Sequence, residues 1–213
     1  MGIIVRTLSD QVVEFVRERI LSGEVPSDAP IRQDALAAEL GISKIPLREA
    51  LARLEQDGLL QSHPNRGFFV RPMSSAELEE IYALRLKLEP DAVVAGSLKA
   101  TEADRQRAAA ALAEFKRMAD VSSVSGGAHN RAFHVALMAP GEERITSDFL
   151  ERLHVMADRY VCKHLEPLGR SDRADQEHDQ LMEAWLAQDI ERLRGLASAH
   201  IRNTLEDLRQ QLR

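Results

Sequence analysis

Apolar positions in the first seventy residues recur at helical spacing three times and then switch to short β-type runs. Between Ser9 and Ser22, Val12, Val13, Val16 and Ile20 fall three or four apart and define one apolar helix face. Ser9 is placed to cap that helix and Gly23 to follow its end. Residues 24–30, with two prolines, read as a connection. A short helix from Arg32 to Leu40 is stopped by Gly41, and Ser43 opens a third helix that ends at Gly58. Pro46 lies in its first turn, where a missing N–H does no harm. In this third helix Leu47, Ala50, Leu51 and Leu54 make one stripe suited to burial. The runs Leu59-Leu60 and Phe68-Phe69-Val70 flank Pro64-Asn65-Arg66-Gly67, whose turn chemistry predicts a small β-hairpin. Three helices and a hairpin over residues 1–72 make a winged helix-turn-helix.

Beyond Pro72 the pattern is helical throughout. Ser74-Ser75-Ala76-Glu77 reads as a capping box opening a long helix that contains Pro90, and Thr101 with Asp104 opens another. The Ser/Gly-rich stretch from Val121 to Gly127 reads as a loop. Helical spacing resumes over 129–138, 144–164, 172–187 and 190–212. With no strand pattern after residue 72, residues 73–213 are expected to form an all-helical antiparallel bundle. The fold class is therefore mainly α, in two domains.

Composition agrees: aromatics are 4% of the 213 residues and the apolar content is dominated by Leu, Ala and Val. Cys162 is the single cysteine, which excludes an intrachain disulfide and points to a reducing compartment. No stretch approaches the ~18 apolar residues of a membrane span, and the N-terminus does not resemble a signal peptide, so a cytoplasmic location with no membrane partner is expected. Net charge is −6, with 9 Lys/Arg against 10 Asp/Glu in residues 1–72 and 19 against 24 in the remainder. Any affinity for nucleic acid must come from locally placed cations.

Such cations exist on the third helix. Lys44 and Arg48 lie four apart near its start, on a face distinct from the apolar stripe, and Arg66 stands beside Gly67 at the hairpin tip. In a helix-turn-helix the start of the second helix of the motif enters the major groove, where Arg can bond guanine bidentately. Spacing alone leaves open that Lys44 and Arg48 merely solvate a surface helix, and Glu49, Glu55 and Asp57 share that helix. The run Ala35-Leu-Ala-Ala-Glu-Leu-Gly-Ile-Ser-Lys-Ile-Pro-Leu-Arg-Glu-Ala-Leu-Ala-Arg-Leu-Glu-Gln-Asp-Gly-Leu-Leu resembles the DNA-binding signature of GntR-type regulators, as do Ile20-Leu21-Ser22-Gly23 and Arg66-Gly67-Phe68-Phe69-Val70. The resemblance covers about residues 8–72 and implies operator contacts from Lys44, Arg48 and the wing at Gly67. Position 44 is more usually Arg in the family, and Arg32 stands where an apolar residue is common.

In the helical part, His134, His178 and His200 stand out. His178 lies ten residues before the turn near Gln188 and His200 twelve after it, so both sit roughly 15–18 Å from the turn and an antiparallel pair brings them level. A third imidazole from a neighbouring helix would complete a metal site. Spacing leaves open three unrelated histidines, and gives His63, His129, His154 and His164 no comparable role.

Tyr82-Ala-Leu-Arg-Leu-Lys-Leu-Glu-Pro, Asn130-Arg-Ala-Phe-His134, the Glu177-His178 pair and His200 resemble the FCD class of GntR regulators over residues 73–213. That resemblance implies an all-helical effector domain binding a divalent metal, often zinc or nickel, through an Asp and three His. The three His correspond to His134, His178 and His200. The Asp position is Asn130 here, a neutral and poorer ligand that still can serve as the fourth. Arg85 corresponds to an arginine facing the effector cavity, and from sequence a surface ion pair with Glu89 at i+4 is the alternative.

The function expected is a ligand-responsive DNA-binding transcription regulator. A homodimer would bind an inverted-repeat operator in double-stranded DNA and sense a small carboxylate at the metal. One rival makes the metal itself the signal. A metal-dependent hydrolase is the other, but no His-Glu-x-x-His or similar signature supports catalysis.

Overall fold

The computed structural model describes residues 7–119, 123–142, 144–164 and 171–212, in two compact units that meet between Met73 and Ser74. In the first unit, helix α1 (Leu8–Leu21) begins not at Ser9 but at Thr7. The Thr7 hydroxyl accepts from the Asp10 amide at 3.1 Å, and the Asp10 carboxylate accepts from the Thr7 amide at 2.8 Å. That reciprocal box needs an acceptor three residues on, which Ser9, with Val12 there, lacks.

Helices α2 (Gln33–Leu40) and α3 (Lys44–Gln56) follow, separated by Gly41 in the left-handed conformation. Ser43 occupies the cap position of α3 in extended conformation, without a side-chain capping bond. The expected stripe is the core: Leu47, Ala50, Leu51 and Leu54 are completely buried, against Val12, Val13, Val16 and Ile20 of α1. The wing is an antiparallel hairpin, β1 (Leu60–His63) and β2 (Gly67–Val70), with Leu60 opposite Val70 and His63 opposite Gly67.

The connection before α2 contributes more than its two prolines suggested. Pro30 bridges Phe69, the Ile31 amide donates to the Phe68 carbonyl at 2.8 Å, and the Val70 amide donates to the Ala29 carbonyl at 3.0 Å. A third, one-residue strand thus edges the wing. Proline is tolerated there because an edge position can spare an N–H.

In the second unit, helices α4 (Ser75–Lys99), α5 (Glu102–Ala119), α6 (Ser123–Met138), α7 (Arg144–His164), α8 (Ser171–Ala187) and α9 (Ile190–Gln211) make an all-helical bundle, with no strand among the described residues. Ser74 caps α4 by accepting from the Glu77 amide at 3.1 Å, and the helix runs through Pro90. The Tyr160 hydroxyl on α7 accepts from the Ser74 amide at 3.0 Å, tying α7 to that helix start.

The stretch expected to loop up to Gly127 is helical from Ser123; its residues 121 and 122 lie outside the described residues. Close packing favours glycine there, since a Cβ on Gly127 would stand 3.0 Å from the Cys162 sulfur of α7. Helices α4 and α6 touch at backbone distance, because a Cβ on Gly96 would lie 1.9 Å from the Leu137 carbonyl oxygen. That carbonyl accepts from the buried Trp185 indole at 3.1 Å, and the Trp185 carbonyl accepts from the Ser97 hydroxyl at 2.7 Å. This lock fixes α6 and α8, which carry His134 and His178, against α4. Among the described residues no helix is long and apolar enough to cross a membrane.

Candidate functional site

His134 on α6, His178 on α8 and His200 on α9 converge in the bundle core. Ring centroids lie 5.3 Å apart for His134 and His178, 5.1 Å for His134 and His200, and 4.7 Å for His178 and His200. One ligand-competent nitrogen of each lies within 4.8 Å of those of the other two, and all three residues are buried. The level placement of His178 and His200 on an antiparallel pair is therefore realised.

Each ring is held differently. His200 Nδ1 lies 2.7 Å from the Glu177 carboxylate, which also accepts from the Asn203 amide at 2.9 Å. His134 Nδ1 lies 3.1 Å from Glu89 Oε1. A carboxylate only accepts, so each Nδ1 carries the proton and each Nε2 presents a lone pair. Both nitrogens of His178, and Nε2 of His134, are buried with no hydrogen-bond partner. His178 is clamped edge-on by Phe115 and Phe133, at 4.8 and 5.2 Å.

Burial, against the pull of their carboxylates, holds His134 and His200 below the ordinary imidazole value. Burial, reinforced by the neighbouring histidines, pushes His178 well below it. The rings are neutral near pH 7, the form that ligates metals. Converging, neutral imidazoles, two of them with orphaned nitrogens, fit a divalent ion of borderline softness, zinc or nickel in type. Asn130 stands half-buried on α6, one turn before His134.

A second cluster shares His134. Glu89 Oε1 is 3.2 Å from His154 Nε2 on α7, though not aligned for a good hydrogen bond, and the Arg85 guanidinium meets Glu89 at 2.8 Å through Nε and 3.3 Å through Nη2. Glu89 resists ionisation through burial, but Arg85, followed by His154 and His134, outweighs this and keeps its carboxyl well below the usual range. The Arg85–Glu89 pair is thus an interior one, not a surface one: the two side chains are 6% and 2% exposed. Glu89, His134 and His154 could also gather round an ion, but the Arg85 guanidinium occupies both Glu89 oxygens, which leaves this carboxylate better placed to hold the His134 ring than to ligate. Linear spacing paired Glu89 with Arg85 but gave no sign that Glu89 and His154 meet His134, because they reach it from two other helices.

In the first unit, Lys44 and Arg48 are exposed on the outer side of α3. With Arg32, Gln33 and Asp34 they line an open concavity of about 460 Å³. Arg32, without a role from sequence, is thereby the third cation of one face. Lys44 Nζ is 2.5 Å from the Asp34 carboxylate, an exposed and therefore weak pair. At the wing, Gly67 has φ +82° and its Cα faces the Gln33 amide, a conformation that disfavours any side chain. Arg66 lies over the Phe69 ring at 5.1 Å.

A winged helix-turn-helix followed along the chain by a helical bundle is an architecture suited to a transcription regulator. Residues 8–70 match the model of the bacterial regulatory proteins of the gntR family, and residues 80–203 match that of the FCD domain. The chain belongs to the GntR family and carries an FCD domain; it is a DNA-binding transcription regulator. It is 27% identical over 219 residues to the HTH-type transcriptional regulator BphR of Paraburkholderia xenovorans (strain LB400), spanning 97% of this chain and 87% of that one. Identity is also 27% over 211 residues to the HTH-type regulator YdhC of Bacillus subtilis (strain 168), with 95% and 91% covered. In fold it is similar to E. coli McbR/YncC, at a TM-score of 0.82 and 24% identity over 98% of this chain and 100% of that one. Every matched family and relative named here is a regulator, not an enzyme.

Proposed function

We propose that this regulator senses a small organic carboxylate at a metal centre held by His134, His178 and His200, and transmits it to operator binding as a homodimer. The observation that carries this reading is the convergence of three buried imidazoles, with His134 Nε2 and both His178 nitrogens left without a hydrogen-bond partner. Glu89 and Glu177 orient two of the rings from behind. When bound, the ion supplies a Lewis-acidic open position suited to a carboxylate. Asn130 is the candidate fourth ligand; being neutral, it leaves the centre more positive than an Asp would. Arg85 spends its Nε–H and one Nη2–H on Glu89, so any contact with an effector carboxylate falls to Nη1 or the second Nη2–H.

Chelation is the direct test. Stripping metal from the purified protein is expected to abolish the response of operator binding to a panel of small carboxylic acids, and zinc or nickel to restore it. A full response in metal-free protein would overturn the metal reading, whereas a response to metal without any acid would favour a metal sensor.

On the DNA side, Lys44, Arg48, Arg66 and the backbone at Gly67 form the proposed operator contacts, one set per half-site of an inverted repeat in duplex DNA. Arg48→Ala is expected to weaken operator binding by ~1–3 kcal/mol and relax preference at one base pair, measured by fluorescence anisotropy on operator and point-substituted duplexes. A uniform loss on every sequence would move Arg48 to a phosphate.

A further inference from the structure

Resting on the reading that the outer face of α3 enters the major groove, we infer that Ile45 reads a thymine C5-methyl group in each operator half-site. Ile45 is a large aliphatic residue left 70% exposed. The buried stripe of α3, centred on Leu47, Ala50, Leu51 and Leu54, points inward. At 100° per residue, Ile45 projects almost opposite that stripe, on one line with Arg48, Glu49 and Ala52. It therefore has no role in the core of this unit.

Its surroundings say what it meets. Glu49 is the acidic neighbour on Ile45's own face. Lys44 precedes Ile45 and Arg48 follows one turn later; these two and Arg32 line the neighbouring concavity, where the cations outnumber the one carboxylate, Asp34. Those charges suit a polyanion and disfavour an apolar protein partner, which would have to bury them. Isoleucine offers a polyanion neither charge nor hydrogen bond, so facing phosphate or a polar base edge it gains nothing. A thymine methyl is the apolar group that the major groove of unmodified DNA displays, and burying it against Ile45 removes both from water. Arg48 and Ile45 then read neighbouring positions, one through hydrogen bonds and the other through shape and apolar contact.

The test uses the full-length protein. Duplexes selected from a random pool by the wild type define the operator, and each thymine of the selected half-site is then replaced by deoxyuridine, which lacks only the methyl. One position is expected to cost the wild type about fourfold in affinity per half-site, or roughly fifteenfold when both are replaced. Ile45→Ala is expected to bind the thymine and deoxyuridine duplexes equally. Insensitivity of the wild type to every replacement, or the same loss in Ile45→Ala, overturns the inference while leaving α3 as the reading helix. Failure to enrich any sequence overturns the DNA-reading role of α3 itself. A shift of the monomer–dimer equilibrium in Ile45→Ala, with thymine discrimination absent from the wild type, assigns the residue to a second copy instead.

Discussion

Glu89→Gln is expected to lower stability by about 3–5 kcal/mol, although it changes one atom and almost no volume. Arg85 is buried with Glu89 against it, and the guanidinium cannot shed its proton. An amide leaves that charge unneutralised where water cannot reach it. For a chain of this size the loss corresponds to a fall in Tm of about 10 °C, readable by calorimetry or near-ultraviolet circular dichroism. The same substitution leaves one acceptor oxygen where there were two, so the Arg85 guanidinium and the His134 Nδ1–H, 3.1 Å away, compete for it and the ring is held less firmly. Metal affinity is expected to fall about 10–100-fold, the usual consequence of losing an outer carboxylate. Glu89→Asp keeps the charge and is expected to recover most of the stability but less of the metal affinity, since the shorter arm cannot meet Arg85 and His134 together. An unchanged Tm in Glu89→Gln would mean that Arg85 is neutralised elsewhere, with Asp158 the other carboxylate acting on it.

His178→Ala separates the structural from the metal-binding role of the histidine centre. Without metal, the His178 ring buries two polar nitrogens that bond to nothing. Unmet buried polar groups cost about 1–3 kcal/mol each. Deleting the ring relieves that cost while losing its packing on Phe115 and Phe133, so the two effects largely offset and metal-free stability is expected to move by only about 1 kcal/mol. With metal the outcome is different. Wild-type protein in zinc at 100–1,000 times its dissociation constant gains ~3–4 kcal/mol by mass action, a rise in Tm of about 5–15 °C. The variant, one ligand short, is expected to show no rise and no bound zinc by native mass spectrometry. A variant that still binds one zinc per chain with wild-type affinity would remove His178 from the site.

These predictions draw on different layers of information. The helices were legible because their apolar spacing is local: the stripe at Leu47, Ala50, Leu51 and Leu54 predicts both a helix and its buried face, and both are found. The hairpin was legible from Asn65-Arg66-Gly67, where Asn65 and Gly67 adopt positive φ. Helix starts were less so. Thr7 displaced Ser9 because the Asp10 carboxylate answers one amide and not another. The helix through Ser123–Gly127 escaped local reasoning because a Ser/Gly run is a poor helix former until a neighbour rewards its small size, as Cys162 does at Gly127.

The histidine centre divides in the same way. His178 and His200 were paired by counting residues from a helix turn, since an antiparallel hairpin converts sequence distance into height. His134 stood out with them as a third imidazole on a neighbouring helix, but spacing left its convergence open and only the family resemblance implied it. Glu89 and His154 came from neither, because three helices must pack before a carboxylate on α4 can meet rings on α6 and α7.

The winged helix-turn-helix with which the chain begins was thus determined by sequence alone, through local periodicity and turn chemistry, together with the positions of Lys44, Arg48 and Arg66. Tertiary structure alone decided what surrounds the site residues. It brought Arg32 to the face of Lys44 and Arg48, left Ile45 facing outward among them, and buried Arg85 against Glu89 behind His134. The physical reason is that helix formation is settled by neighbours three and four residues apart, whereas burial, charge pairing and ligand convergence depend on which helices share a core.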